Sequence, residues 1–129
     1  MTGETDLNTL LAALEPRLHP DEFVYTTVPE PVGDAICIFR EAEGFTLILP
    51  RRDAQRLGIP FTFPCRMITL TVHSSLQAVG LLARVATVLA ERGISVNTVS
   101  AYYHDHLFVP VEKAEEALEA LRTARQNRP

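Results

Sequence analysis

The sequence predicts an α+β fold in which helices cover one face of antiparallel sheets. Three observations support this prediction. Runs rich in β-branched and aromatic residues alternate with runs whose apolar residues recur at helical spacing. Neighbouring strands are joined by short polar turns, which favours antiparallel hairpins. A unit made of a strand end, a proline and a helix occurs twice, which indicates two similar halves.

The first half is predicted to have the element order α-β-β-β-α. Apolar residues at helical spacing predict a helix over residues 7–14, and Pro16 ends it. The predicted strands cover residues 22–28, 35–39 and 45–49. The polar segment between the last two strands predicts a hairpin. A short helix follows Pro50, and Gly58 occupies the usual position just beyond its end.

The second half is predicted to have the order β-α-β-β-α. Alternating apolar residues predict a strand over residues 66–72. Helical spacing predicts a helix marked by Val79, Leu82, Val85, Ala86 and Leu89, with Gly93 as its C-terminal cap. Strands over residues 94–103 and 106–111 should be joined by a two-residue turn at His104 and Asp105. The last helix, residues 112–125, has acidic residues early and arginines late, as the helix dipole favours.

The repeated unit relates the two halves at an offset of 60 residues. Pro50 and Pro110 each follow an apolar strand end, and Ala54 and Ala114 lie four residues further on. The second half has the ferredoxin-like order β-α-β-β-α-β without its last strand. Each half lacks an element that the other could supply. We therefore predict two interleaved ferredoxin-like subdomains, residues 1–64 and 65–129, which complete each other's sheets.

Composition excludes several classes of function. The 129 residues carry a net charge of −4, which argues against a nucleic-acid-binding surface because contacts to phosphates need a basic patch. There is no signal peptide and no apolar run long enough to span a membrane, so we expect a cytoplasmic protein that binds no membrane. Cys37 and Cys65 are interpreted as reduced, buried residues. With no catalytic or cofactor-binding motif in the sequence, we expect no enzyme activity, no cofactor and no metal.

The run "ITLTVHSSLQAVGLLARVATVLAERGISVNTVSAYY" resembles an ACT domain, the small ligand-binding module of amino-acid-regulated enzymes. The matching pattern is a strand, a polar loop, a glycine at the helix start, an amphipathic helix and a Gly-Ile start to the next strand. The resemblance covers residues 65–125, and the first half is read as a degenerate ACT-like subdomain. The whole chain is similar to small bacterial tandem-ACT proteins, a family related to the ACT-type cytosolic arginine sensors of animals.

This resemblance implies a ligand between the first strand–helix loop and the second strand of a neighbouring ACT unit. The implied ligand-binding residues are His73, Ser74, Ser75, Val79, Gly80, Leu81 and Asn97. The helix start would offer backbone N–H groups to a carboxylate, and the Asn97 amide oxygen could accept from an ammonium group. Serine-responsive ACT domains match His73 and Asn97, whereas Ser75 replaces their loop asparagine. As alternatives, the serines cap the helix, His73 lies on an exposed sheet face, and Asn97 forms a bulge.

The run His104-Asp105-His106 is the other concentration of chemistry-bearing side chains. Two histidines and an aspartate could hold a metal, gate a ligand or lie at a hairpin tip. We interpret the run as a turn, because aspartate is common in hairpin turns and no further histidine or cysteine cluster is near in sequence. Tyr25, Tyr102 and Tyr103 are candidates for a crevice, an interface or simple core packing.

The sequence therefore predicts a non-catalytic regulatory protein that binds an amino acid at an ACT–ACT interface. We expect a homodimer whose output passes through a separate, unknown partner protein. The alternative is a ligand-free dimerisation or protein-interaction module. A small enzyme that uses His73 or His104 as a base is a third and weaker reading.

Overall fold

The computed structural model describes residues 6–72 and 78–126. The helices are α1 (Leu7–Ala12), α2 (Arg51–Leu57), α3 (Leu81–Glu91) and α4 (Ala114–Gln126), and a 3-10 turn at Val111–Lys113 precedes α4. The strands are β1 (Pro16–Val28), β2 (Cys37–Glu41), β3 (Gly44–Pro50), β4 (Thr62–Leu70), β5 (Asn97–Ser100) and β6 (Asp105–Pro110). Over the described residues they form one antiparallel sheet of order β2-β3-β1-β4-β6-β5.

The strand order shows that the two halves are interleaved. In the N-terminal half, β1, β2 and β3 are completed by β4, which gives the ferredoxin-like order 2-3-1-4. In the C-terminal half, β4, β5 and β6 are completed by β1 in the same order. The two central strands therefore each serve both halves. This confirms the predicted pair of interleaved ferredoxin-like subdomains.

The repeated proline units occupy equivalent places in the two halves. Pro50 ends β3 and precedes α2, and Pro110 ends β6 and precedes the turn into α4. Their backbone angles nearly coincide, with φ and ψ of −56° and 136° at Pro50 and −54° and 143° at Pro110. Ala54 and Ala114, four residues later, are both fully buried. A small residue is needed at both positions because each helix packs closely on the sheet there.

All helices of the described chain lie on one face of the sheet, as predicted. On that face α1, α3 and α4 cover β4 and β6, and their fully buried side chains include Leu10, Leu89, Leu107 and Leu121. The remaining helix, α2, covers β1 and β3 around Val24, Leu47 and Leu49. Each such leucine contributes about 1.5–3 kcal/mol through removal of its side chain from water. These two clusters hold the helices against the interleaved sheet.

The opposite, open face has its own apolar cluster without helical cover. Phe23, Ile48, Cys65 and Phe108 are buried there, and Tyr25 packs against them. The Tyr25 and Phe108 ring centroids are 6.0 Å apart although β4 lies between their strands. Strands separated by one neighbour are about 10 Å apart in a flat sheet. Side chains of both edge strands, Cys37 of β2 and Val99 of β5, line one cleft on this face, so the sheet curves and its open face is concave.

The strand predicted over residues 22–28 was too short at its N-terminal end. β1 begins at Pro16 and contains Pro20, a residue type that is uncommon inside strands. The register with β4 shifts between Leu18 and Glu22, so the residues around His19 form a bulge. A proline is tolerated in a bulge because no ladder N–H is required of it.

The predicted turn at His104 and Asp105 was wrong. The loop between β5 and β6 spans residues 101–104, and the Ala101 N–H donates to the His104 carbonyl oxygen at 3.0 Å. Asp105 lies inside β6, opposite both Ser100 and Leu70, and is only 7% exposed. The strand ladders on both sides of Asp105 outweigh the turn preference of aspartate. The tip of the hairpin carries the exposed Tyr102 and Tyr103 instead.

Candidate functional site

The N-terminus of α3 is built around Gly80. Its φ of 98° lies in the region that favours glycine, and its carbonyl oxygen accepts from the Arg84 N–H at 3.0 Å. The N–H groups of the first helical turn have no partner within the helix and carry the positive end of its dipole. A helix start of this kind can accept a carboxylate, and ligand binding at Gly80 stays a prediction.

The other loop residues differ in their exposure. Val79 is 81% exposed, whereas Leu81 is 3% exposed and its side chain belongs to the helix-side core. Leu81 can therefore offer a ligand its backbone N–H and not its side chain. His73, Ser74 and Ser75 lie outside the described residues.

Asn97 lies far from Gly80 in the same chain. It is the exposed first residue of the edge strand β5 and pairs with Phe108, which places it on the open face. Phe108 in turn pairs with Met67, three residues before the end of β4 at Leu70. Three residues of strand span about 10 Å, and α3 covers the opposite face. The fold of one chain therefore does not bring these two predicted residues together.

A groove of about 680 Å³ between α3 and α4 borders the helix start. The side chains of Arg84, Glu91 and Arg92 lie along α3 in this groove, and Leu7 of α1 lies at its end beside Gly80. A Cβ atom on Gly80 would come within 3.3 Å of the Leu7 Cδ2 atom. The short α1 is thus packed directly against the N-terminus of α3.

A hydrogen-bonded relay on the open face was not predicted from the sequence. The Thr69 hydroxyl lies 3.0 Å from His19 Nε2 and 2.9 Å from His106 Nδ1. A hydroxyl has one proton, so it donates to one ring and accepts from the other. The tautomers of the two histidines are therefore coupled through Thr69.

The surroundings of both histidines in this relay favour their neutral forms. Burial lowers the pKa of the His106 ring, and the neighbouring His104 and His19 rings lower it further, against a smaller opposing effect of Asp105. Burial is also the main cause that lowers the pKa of His19, followed by Arg17, while Asp21 opposes. Neutral imidazoles suit the relay, because each can accept at one nitrogen and donate at the other.

The relay was missed because its members are distant in sequence. Thr69 is 50 residues from His19 and 37 from His106. The bulge in β1 brings His19 over the sheet, and Arg66 fixes it by donating from Nε to the His19 carbonyl oxygen at 3.0 Å. The alternation of Thr69 with apolar neighbours was visible in the sequence, but the strand pairing was not.

Within residues 6–72 and 78–126, no three acidic, histidine or cysteine side chains are placed to hold a metal.

Comparisons with known proteins agree with this architecture. Two family models, each described as an ACT domain, match residues 2–66 and 62–123. No curated protein sequence matches the chain significantly. None of the helices in the described parts of the chain is long and apolar enough to cross a membrane.

Solved structures resemble the chain over nearly its full length. A Vibrio cholerae protein of unknown function, named as a possible transport protein, is 46% identical, with a TM-score of 0.84 over 93% of this chain and 96% of that one. An Agrobacterium tumefaciens protein is 17% identical, with a TM-score of 0.66 over 87% and 89% of the two chains. The ligand-free regulatory subunit of aspartate kinase from Thermus thermophilus is 13% identical, with a TM-score of 0.65 over 84% and 95%.

The two most distant of these likenesses concern the fold alone, whereas the family matches cover both halves of the chain. ACT domains are regulatory modules that bind small-molecule effectors, and they have no catalytic role of their own. The match of one family to each half explains why a single proline-linked unit occurs twice. The chain belongs to the ACT domain family and carries two ACT domains in tandem.

Proposed function

We propose that the protein is a non-catalytic, cytoplasmic regulator that binds an amino acid at an interface between ACT domains. The observation that carries the proposal is the pair of ACT family matches, which together span residues 2–123. Residues 1–64 and 65–129 are the two proposed domains, with β4 shared between them. A homodimer would pass the signal to a separate partner protein.

The proposed ligand contacts come from two copies of the chain. The carboxylate would lie against the N–H groups at the start of α3, beside Val79, Gly80 and Leu81. His73, Ser74 and Ser75, which are also proposed ligand contacts, precede these residues in the sequence. Asn97 would reach the ammonium group from β5 of a second copy. The separation of Asn97 from Gly80 within one chain supports an intermolecular site.

The alternative function is a ligand-free dimerisation or protein-interaction module. The edge strand β2 favours it, because Phe39 on this strand is 66% exposed and Ile38 is also exposed. Unpaired backbone groups on an edge strand can pair with the edge of another chain. Such a module would dimerise without responding to any metabolite.

A thermal-shift screen against the twenty amino acids tests the proposal. A ligand at 100 times its dissociation constant stabilises a protein by about 2.7 kcal/mol, which raises the melting temperature by several degrees. Asn97→Ala should abolish the response to the active amino acid. Thr98→Ala is the matched control, since Thr98 is the next residue on β5, is also exposed and is directed to the other face.

Light scattering of the same samples separates the two candidate functions. A dimer that responds to one amino acid, and loses this response only in Asn97→Ala, supports the sensor. A dimer that no amino acid stabilises at millimolar concentration supports the interaction module. Turnover of an added metabolite would overturn both readings.

A further inference from the structure

The concave open face contains a small cleft that the proposed amino-acid site does not use. Its volume is about 210 Å³. The residues that line it include Cys37 of β2, Met67 of β4, Val99 of β5 and Phe108 of β6. These strands include both edges of the sheet, so the curvature of the sheet forms the cleft. A cavity of about 150 Å³ is large enough to hold benzene. The cleft therefore has room for a one-ring or compact two-ring molecule.

The chemistry of the cleft disfavours a charged group inside it. Its walls are apolar or sulfur-containing, and no acidic or permanently cationic side chain lines it. Aromatic rings make favourable contacts with both the Phe108 ring and the Met67 thioether. An ammonium or carboxylate group placed here would lose its hydration without gaining a counter-ion. An amino acid, which carries both groups, is the wrong ligand for this cleft.

His106 is the polar group that the cleft offers to a ligand. Within the described parts of the chain, the His106 ring bonds the Thr69 hydroxyl through Nδ1, so Nε2 is the ring nitrogen that can pair with a ligand. If Thr69 donates to Nδ1, then Nε2 carries a proton and donates. If Nδ1 donates to Thr69, then the Thr69 proton goes to His19 and Nε2 accepts. Through this relay, His106 Nε2 can pair with either a donor or an acceptor of the ligand while the ring stays neutral.

We propose that this open-face cleft binds a small, uncharged aromatic molecule that carries a single hydroxyl or ring N–H, which pairs with His106. Phenol and indole are the simplest molecules of this class. The cleft lies on the face opposite α3, and Asn97 is not among the residues that line it. The proposal therefore goes beyond the amino-acid function and does not depend on it.

Indole provides a direct probe because the protein contains no tryptophan. Indole fluorescence excited at 295 nm would be followed while the protein is titrated in. Transfer of indole into the cleft should shift its emission to the blue and raise its anisotropy to a plateau. Phenol should displace the indole, whereas phenylalanine, which has a similar ring but a charged backbone, should not.

Two substitutions test the walls and the polar group separately. Val99→Phe fills the cleft and should weaken indole binding by at least about tenfold. Thr98→Phe is its matched control, because the adjacent residue faces the other side of the sheet. His106→Leu should weaken indole and phenol by about tenfold, the loss expected for one hydrogen bond, while toluene binds as before. Thermal melts of each variant verify that it is folded.

Alkylation of Cys37 gives a readout that does not depend on fluorescence. Cys37 lines the cleft and is partly exposed, whereas Cys65 is fully buried and burial raises the pKa of its thiol to about 12. Phenol should slow the reaction of iodoacetamide with Cys37 in the wild-type chain and in Asn97→Ala.

The proposal would be overturned by any of three results on folded protein. The first is indole fluorescence that does not saturate with millimolar protein. The second is unchanged binding in Val99→Phe. The third is displacement by phenylalanine as effective as displacement by phenol. A failed amino-acid screen together with saturable indole binding would overturn the proposed function and leave this cleft assignment supported.

Discussion

Pro50 and Pro110 lie at the two ends of one row of residues that crosses the four inner strands of the sheet. Pro50 pairs with Phe23, Phe23 pairs with Cys65, and Cys65 pairs with Pro110. The row is symmetric about the contact between β1 and β4, and equivalent elements of the two ACT domains lie on either side of it. The shared central strands thus bind the two domains into one cooperative unit.

We expect that neither domain folds without the other. A fragment of residues 61–129 retains β4, β5 and β6 but lacks β1, and its exposed β4 edge has no partner. Circular dichroism of the fragments 1–60 and 61–129 should show cooperative melting only after the two are mixed. A circular permutant with the same break, whose original termini are joined by a flexible linker, is the control, because it keeps both domains in one chain and should melt cooperatively. A monomeric fragment 61–129 that melts cooperatively would contradict this expectation.

The Thr69 hydroxyl should contribute measurably to stability. Thr69→Val keeps the shape of the side chain but leaves His19 Nε2 and His106 Nδ1 without their common partner. We expect a loss of about 1–3 kcal/mol in the free energy of unfolding, measured by urea titration. Thr71→Val, two residues further on, removes an exposed hydroxyl that bonds the Glu15 carbonyl and should cost less than about 1 kcal/mol. Equal losses in the two variants would show that the relay adds nothing.

Stability should fall as the pH is lowered from 7.5 to 5.5. The pKa values of His19 and His106 are both below the ordinary value of 6.5, so the unfolded chain takes up protons before the folded one. Above about pH 6.5 the two histidines make their full contribution to the free energy of unfolding. This contribution is lost as the pH falls through their lowered pKa values. In His106→Asn, whose amide can still bond Thr69, the urea midpoint should depend less on pH. An unchanged pH dependence would argue against a neutral His106 in the folded state.

Gly80→Ala should destabilise the protein more than the same change at Gly58. Both glycines have positive φ. At Gly80, with φ 98°, an added Cβ would lie 3.3 Å from Leu7 Cδ2, whereas at Gly58, with φ 69°, it would meet no atom within 4 Å. Alanine at Gly58 should cost about 1 kcal/mol, and alanine at Gly80 about 2 kcal/mol or more. Chemical unfolding of the two variants compares them directly. Equal losses in the free energy of unfolding would show that the Leu7 side chain moves aside without a measurable energetic cost.

Features of the candidate site that depend on neighbouring residues in the chain could be predicted from the sequence. Gly80 before an amphipathic helix and Gly93 just past its end agree with the structure, but the predicted start was wrong at Val79, which lies outside α3 and is exposed. The distance between Gly80 and Asn97 was not predictable, because it depends on the register of β4, β6 and β5. The true loop at residues 101–104 was also hidden, since Asp105 prefers turns locally but is held by ladders on both sides.

The sequence by itself determined the fold class, the order of the elements and the duplication at Pro50 and Pro110. These features depend on hydrophobic periodicity, proline and glycine, which act over a few residues. Only the tertiary structure decided that the β1 bulge brings His19 to Thr69 and His106, and that both edge strands border one cleft. Strand register and sheet curvature arise from packing between residues far apart in the chain, and no short stretch of sequence carries that information.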